Sequence, residues 1–291
     1  MIQTSQKPGR IHLPEGKKAA VSISCIFSGP TIWTGPDGQV SQFTVSRGEL
    51  DAEVCVPRIL AALKKYGIKA TFFIPGHTAD TFPEICRAIL ADGHEIAHHS
   101  YMLTELSEMT LEQEEKAFQM GFEALERLGV RPTGFRAPNE FSPNTLKLLE
   151  KYGFQYDCSL MGNDLAPYYP RPITLHTDTG CEFGQPSPVL ELPVSLHLDD
   201  FPYMDTWGSD FQLPYFDCQP AEEFYDRVTD TYDYACRFEG AMLNLTIHSS
   251  ATGNRPRMES FEKLLKYLLD HDAWLVPCNE LAAAAIPESF K

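Results

Sequence analysis

Two histidines and an arginine lie at or just beyond the ends of predicted β-strands, and their side chains could do chemistry together. They are His99, Arg136 and His248. Parallel barrels form their active sites at the carboxyl ends of the strands, so we expect these three side chains to face one mouth. Imidazole titrates near neutral pH, and guanidinium holds a carboxylate, imide oxygen or oxyanion through two hydrogen bonds. The set predicts acid–base chemistry on an anionic or carbonyl-bearing ligand, with His99 as base or orienting group.

Other polar and aromatic residues are weaker candidates. Glu140, four residues beyond Arg136, is a candidate carboxylate base, although an acid there also suits a helix N-terminus. Trp33 could form an aromatic wall for a planar ring or simply pack in its loop. His77 ends a predicted strand and is a further candidate for substrate binding. Four residues in loops could close over a substrate: Asp164, Asp199, Asp200 and Trp207.

Three reactive side chains near these candidates are interpreted as structural. Side chains alternate across a strand, which places Cys25 on the face opposite Ile26 and turns His98 away from the face of His99. We expect Cys25 to be a buried, inert thiol. His94 precedes its strand and is also expected to be structural. A structural role remains the alternative for His99 and His248 as well.

Strand-like and helix-like segments alternate along the chain. Apolar β-branched runs predict strands, and apolar residues at helical spacing followed by glycine predict helices. The predicted strands are 19–27, 69–74, 95–98, 133–136, 189–196, 241–248 and 273–276. The predicted helices are 50–66, 81–91, 110–128, 142–152 and 261–271. Roughly seven strand–helix units indicate a parallel α/β sheet with right-handed crossovers, closed or nearly closed into a distorted (β/α)7, TIM-like barrel.

The domain organisation predicted from this pattern is simple. Residues 1–18 are expected to be an N-terminal extension, and residues 19–291 a single barrel domain. A segment near 199–219, rich in Pro, Asp and aromatic residues, is expected to be a long loop or lid.

Composition limits the partners. The chain has 291 residues and a formal charge of −16, and an acidic surface repels phosphate backbones and anionic lipids. Nucleic acid and membranes are therefore excluded as expected partners, and a small-molecule substrate is expected instead. Eight scattered cysteines form no C-x-x-C pair, and residues 1–18 lack the apolar stretch of a signal peptide. We therefore expect a cytoplasmic protein with reduced thiols.

Several segments, taken in order, resemble the motifs of the polysaccharide deacetylase superfamily, which is also described as NodB-homology or carbohydrate esterase 4-like. They are Glu53–Arg58, Ala70–His77, Gly93–Leu103, Gly134–Pro138, Phe154–Ser159 with Asn163 and Asp164, and Leu245–His248. The resemblance covers roughly residues 19–285. The N-terminal motifs look like the cytosolic branch that acts on small cyclic imides and ureides, as in metal-independent allantoinases.

The resemblance implies roles for single residues. His248 matches the general-acid histidine and Arg136 the arginine of the Arg-x-Pro motif. Metal-dependent members carry two aspartates in the first motif and two histidines four residues apart in the second. The matching positions here hold Ile26 and Ser28, then His99 and Leu103. With one ligand left of three, we predict no bound metal and no cofactor. Ser28 is expected to point into the pocket.

Three readings of function stay open. The first is a metal-independent enzyme that acts on a small polar or cyclic substrate, most simply by hydrolysing a C–N amide or imide bond. The second is a non-hydrolytic lyase, decarboxylase or isomerase acting on a small carbonyl compound. The third is a catalytically inactive binding protein. The resemblance and the aromatic 200–219 segment also predict a homodimer or homotetramer.

Overall fold

The computed structural model describes residues 9–33, 41–204 and 221–286, apart from the side chains of residues 33, 43, 44, 203 and 204. The strands are β1 (Arg10–Ile11), β2 (Ala20–Ile26), β3 (Thr71–Ile74), β4 (Glu95–His98), β5 (Gly134–Phe135), β6 (Tyr156–Asp157), β7 (Ile173–His176), β8 (Gly180–Phe183), β9 (Leu190–Glu191), β10 (Met242–His248), β11 (Trp274–Leu275) and β12 (Ala285–Ile286).

Helices of very different length follow most of these strands. They are α1 (Gln42–Leu50), α2 (Val56–Tyr66), α3 (Gly76–Thr81), α4 (Pro83–Ala91), α5 (Leu111–Glu126), α6 (Thr145–Tyr152), α7 (Phe201–Met204), α8 (Ala221–Ala235), α9 (Ser249–Thr252), α10 (Arg257–Asp270) and α11 (Cys278–Ala283). A π-helical turn, Asp51–Cys55, joins α1 to α2. Among the described helices, none is long and apolar enough to cross a membrane.

The main sheet is parallel and curls around a central interior. Its strands lie in the order β10-β2-β3-β4-β5-β6-β9, and β11 pairs with the first residues of β2. The two ends of the sheet, β9 and β10, meet without forming a ladder. Instead Asp199 forms an isolated parallel bridge with Thr246, and Asn244 Nδ2 donates to the Leu192 carbonyl at 3.2 Å. This junction, which we call the seam, nearly closes the ring and confirms the predicted (β/α)7 barrel.

The two faces of β2 show how the barrel is layered. Val21, Ile23 and Cys25 belong to the large apolar cluster between sheet and helices. Ser24 points the other way, donating on the interior face to Asn244 Oδ1 of the neighbouring strand β10 at 2.6 Å. Burial raises the pKa of the Cys25 thiol well above its ordinary value, because a thiolate would lose its hydration. The predicted burial of Cys25 on the face opposite Ile26 is therefore confirmed, and its inertness remains a prediction.

Helix α5 fixes the end of β4, just below His99. The helix starts with a capping box in which Thr110 and Gln113 satisfy each other's backbone N–H groups. His98 Nε2 donates to the Phe118 carbonyl at 3.1 Å, and the imidazole lies among aromatic rings including Phe118 and Phe135. Burial lowers the pKa of His98 to about 4. The predicted orientation of His98, away from the face of His99, is confirmed, since His98 is buried and does not line the cavity described below.

His94 also has a structural contact, since its Nδ1 accepts the Ala70 N–H at 3.1 Å.

Two features were not expected from the sequence. Strands β7 and β8 form an antiparallel hairpin whose side chains are largely exposed. Strand β1, within the predicted N-terminal extension, pairs antiparallel with β12 near the other end of the chain.

Candidate active site

A cavity of about 220 Å³ lies at the carboxyl ends of the barrel strands. His99, Arg136 and His248 all line it, so the structure brings together the three residues that the sequence singled out. Ile26, Ser159 and Asp199 are also part of the lining. The short strands β4 and β5 and the long strand β10 each end at this mouth, which explains the convergence.

His248 is held by a fully buried carboxylate. The backbone N–H and Nδ1 of His248 both donate to Asp200 Oδ1, at 2.8 and 2.9 Å. Thr252 donates to the other oxygen of Asp200 at 2.7 Å, and Asp200 has no exposed surface. A carboxylate at Nδ1 fixes the tautomer and leaves Nε2 of His248 for a ligand.

Arg136 and Asp199 form an ion pair beside this histidine. Arg136 Nη2 lies 3.4 Å from Asp199 Oδ2, and both side chains are 12% exposed. Arg136 Nη1 also donates to Thr246 at 2.8 Å, and the Phe201 N–H donates to Asp199 Oδ1 at 3.0 Å. The guanidinium is therefore held from two sides, with N–H groups remaining for an oxygen of a ligand.

Two carboxylates decide the charge of His248. Burial lowers the pKa of the imidazole, but Asp199, 3.5 Å from Nδ1, and Asp200 together outweigh burial and raise the pKa above its ordinary value. Burial in turn raises the pKa of Asp200, while His248 and Thr252 act in the opposite direction. The two carboxylates thus favour the protonated form of His248, which can donate a proton.

For His99, unlike His248, the surroundings favour the neutral form of the imidazole. Its Nδ1 lies 2.8 Å from the Arg136 carbonyl oxygen. A carbonyl can only accept, so Nδ1 carries the hydrogen and Nε2 carries the lone pair. Burial, with a smaller contribution from the nearby Arg136 guanidinium, lowers the pKa of His99 to about 3. A neutral imidazole that accepts through Nε2 can orient a water molecule, whereas its low pKa makes it a weak base.

The remaining predicted site residues lie outside the cavity lining or outside the described parts. Glu140 and Asp164 are exposed, and neither lines the cavity. His77 is the second residue of α3 and packs its ring against Tyr101. Ser28 is buried, but it does not line the cavity. Trp207 and the side chain of Trp33 fall outside the described residues.

Three residues of the site were missed or ranked too low. Asp199 and Asp200 were noted only as loop acids, although two acids following a predicted strand signal a possible site. Ser159 carried no signal of its own, because its place in the cavity depends on the curvature of the sheet. Asp199 brings to the cavity the carboxylate that the sequence sought in Glu140.

Comparisons with known proteins identify the family of this chain. The sequence model of the family described as "Polysaccharide deacetylase" matches residues 36–157. A peptidoglycan deacetylase of Helicobacter pylori is 34% identical over 273 residues, covering 86% of this chain and 90% of the relative. The chain belongs to the polysaccharide deacetylase family. As a member of this family, it is a hydrolase of the deacetylase type that acts on C–N bonds.

Solved structures support the family fold. A candidate polysaccharide deacetylase from Mycobacterium smegmatis has a TM-score of 0.81 and 30% identity, covering 96% of this chain and 94% of that one. An allantoinase has a TM-score of 0.78 over 96% of this chain and 93% of that one. Its identity of 24% means that the likeness concerns the fold alone.

The family's divalent metal finds a poor set of donors in the described residues. At the positions of the resemblance, Ile26 and Leu103 cannot ligate, and the Ser28 hydroxyl is buried away from the cavity. Asp199, Asp200 and His248 do place potential ligand atoms within 4.8 Å of one another. However, Asp200 already accepts three hydrogen bonds, and Asp199 faces a guanidinium. These donors do not fit a metal centre, and metal independence remains a prediction.

Proposed function

We propose that the cavity hydrolyses an amide C–N bond by proton transfer between side chains, without a metal ion. The observation that carries this proposal is the Asp200–His248 pair, which supports a protonated imidazole in the cavity. The coarser assignment to C–N hydrolysis comes from the family. The assignment of roles below rests on the distances within the site.

Each side chain has one task in the proposed reaction. Arg136 binds the substrate carbonyl oxygen and stabilises the negative charge that develops on it. His99 Nε2 accepts a hydrogen bond from a water molecule and orients it, while Asp199 takes the proton from that water as it attacks the carbonyl carbon. His248 then donates its proton to the departing nitrogen as the C–N bond breaks. Asp200 holds His248 in position during this transfer.

The substrate class that we favour is the N-acetyl amide of an amino sugar. Support comes from the Helicobacter pylori relative, named a peptidoglycan deacetylase, at 34% identity over most of both chains. The cavity of about 220 Å³ would hold the acetamido group, with the rest of the glycan outside.

The test is acetate release from N-acetylglucosamine oligomers and from peptidoglycan fragments. We expect release by the wild type and little by the variant Asp199→Asn, which keeps the shape of the side chain but cannot take a proton. No release from any of these substrates would count against the sugar amide.

A small cyclic amide or imide is the second candidate, and it is favoured by the small cavity and by the loss of both first-motif acids. Its assay is ring opening of hydantoins, cyclic imides and small lactams. The cytoplasm stays the proposed location for this candidate, supported by eight scattered cysteines. If neither substrate set turns over but a small molecule co-purifies with the protein, the binding-protein alternative is favoured. Turnover of β-keto or aromatic acids would favour the non-hydrolytic alternative.

A further inference from the structure

Two acids, Asp157 and Glu191, lie side by side beneath the cavity. They are register partners on the adjacent parallel strands β6 and β9, and neither has any exposed surface. None of the ion pairs among the described residues involves either of them. Two ionised carboxylates in this arrangement would repel each other, and each would lose its hydration without gaining an ion-pair partner.

The hydrogen bonds of the pair show where a proton is needed. Glu191 Oε1 accepts the N–H groups of Ser159 and Leu160, both at 2.9 Å. Asp157 Oδ1 accepts the Ser159 hydroxyl at 2.6 Å. The other two oxygens, Asp157 Oδ2 and Glu191 Oε2, are buried and have no hydrogen-bond partner among the described residues. A single proton on one of the two carboxyl groups would give the other a donor.

A chain of hydrogen bonds runs from this pair to His99. The Ser159 hydroxyl, which donates to Asp157, accepts the Ala137 N–H at 2.8 Å. That N–H belongs to the same peptide unit as the Arg136 carbonyl, which accepts from His99 Nδ1 at 2.8 Å. The peptide unit is thus held at both ends, and hydrogen bonds in such a series polarise one another.

We infer that Asp157 and Glu191 share a single proton, and that the pair positions His99 through Ser159 and the Arg136–Ala137 peptide. This inference deepens the proposed function, because it concerns the orientation of His99 in the same site. Asp157 and Glu191 are positioning residues, since neither lines the cavity. By holding the peptide carbonyl toward Nδ1, they keep the lone pair of His99 on Nε2.

The electrostatics of the pair agree with a shared proton. Burial, followed by the charge of Asp157, raises the pKa of Glu191 well above its ordinary range. Burial also raises the pKa of Asp157 to about 6. The titratable and charged groups that face the pair are Tyr168, Cys158 and Arg136. Arg136 favours the ionised form of Asp157, so the proton is expected mainly on Glu191.

The proton is tested by infrared difference spectroscopy at neutral pH. The wild type should show the carbonyl stretch of a protonated carboxyl group that is absent from the variant Glu191→Gln, whose amide supplies the missing donor. The control is Asp178→Asn, a change in the exposed turn between β7 and β8, which should leave the band in place. Identical carboxyl bands in the wild type and Glu191→Gln would overturn the shared proton.

The positioning is tested by the ring-nitrogen NMR signals of His99, assigned by their loss in His99→Ala. Wild type and Glu191→Gln should both show the Nδ1–H tautomer, whereas Ser159→Ala should shift the signals toward a mixture of tautomers. Unchanged His99 signals in Ser159→Ala would overturn the positioning role. Neither measurement uses a substrate, so this inference can fail while the proposed hydrolysis stands, and the reverse.

Stability against pH gives an independent check of the proton. A carboxyl group whose pKa is raised on folding favours the folded state at low pH, and that contribution is lost as pH rises from about 4.3 through the folded pKa. Glutamine at position 191 does not titrate, so Glu191→Gln lacks this pH-dependent contribution to stability. Its Tm should therefore rise relative to the wild type as pH increases, and a constant difference between pH 4 and 9 would contradict a shared proton.

Discussion

His248 carries the proton that the proposed reaction delivers to the leaving nitrogen. Replacing a positioned general acid usually lowers turnover by about 10²-fold or more. We therefore expect His248→Ala to lower kcat by at least that factor, because alanine cannot donate a proton. The measurement is turnover on whichever amide is found, with the exposed His12→Ala as a matched control. Full activity in His248→Ala would mean that the acid lies elsewhere.

The protonation of His248 also predicts how activity depends on pH. A general acid works while it is protonated, so kcat/KM should fall as pH rises through the raised pKa of His248. Asp200→Asn removes one of the negative charges that raise this pKa, and the fall should then begin at a lower pH. The same pair stabilises the folded state below about pH 6.5 and loses this effect as pH rises through the folded pKa. A pH profile that is unchanged in Asp200→Asn would contradict the assignment.

At the residue scale, the sequence was informative where a polar residue followed a strand. His99, Arg136 and His248 were chosen on that basis, and they do share one cavity. Glu140 does not directly follow a predicted strand, and its carboxylate is exposed. The roles of all these residues remain predictions. Asp157 and Glu191 left a signal that was not used, since each is an acid inside an otherwise apolar segment.

At the scale of elements, the close approach of α5 to β4 supports the site from outside. Gly121 lies where an added Cβ would be 2.5 Å from His98 Nε2 and 2.7 Å from the Ser100 carbonyl oxygen. Both atoms flank His99 in the chain, so a methyl group at Gly121 would push on the end of β4.

Gly121→Ala should therefore lower the free energy of unfolding. Overpacking of this kind costs about 1–3 kcal/mol, and the better helix propensity of alanine offsets about 1 kcal/mol of it. Urea denaturation measures the difference. Gly184→Ala is the control, because its added Cβ would meet its nearest atom at 3.4 Å. Equal stability of the two variants would show that α5 can shift without cost.

The elements were predicted best where burial imposes a pattern. The predicted strands at 19–27, 69–74, 95–98 and 241–248 all form, with ends moved by at most a few residues. The segment 189–196 was predicted as a longer strand than the observed Leu190–Glu191, because the chain leaves the ladder to form the seam. Helix α1 was missed, since it has no clear apolar stripe. The β7–β8 hairpin was missed because its apolar side chains face solvent.

For the whole molecule, the donor set predicts a protein without a stoichiometric divalent metal. Zinc sites need about three protein ligands, and His99 alone remains of the family's set. Elemental analysis after mild chelation should give far less than one Zn, Co or Ni per chain. One metal per wild-type chain would contradict the prediction.

We also expect the whole molecule to be a homodimer or homotetramer. Trp207 and most of the aromatic segment behind this prediction lie outside the described residues. A separate observation supports it, since the paired residues Ile173 and Phe183 of the β7–β8 hairpin, and Leu175 on the same face, are 61%, 55% and 70% exposed. Light scattering at micromolar concentration measures the mass, and a monomer would refute the prediction.

The seam between β9 and β10 is held by an isolated bridge and a side-chain hydrogen bond, and no ladder joins the two strands. Elsewhere in the ring, neighbouring strands are joined by ladder hydrogen bonds, but here the joint consists of single contacts near Asp199 and Asn244. The same few residues carry the Arg136–Asp199 and Asp200–His248 contacts. Any opening of the barrel at this joint would therefore also move the Asp199 carboxylate away from the Arg136 guanidinium. In this protein the residues that close the ring therefore lie next to the groups proposed to be catalytic.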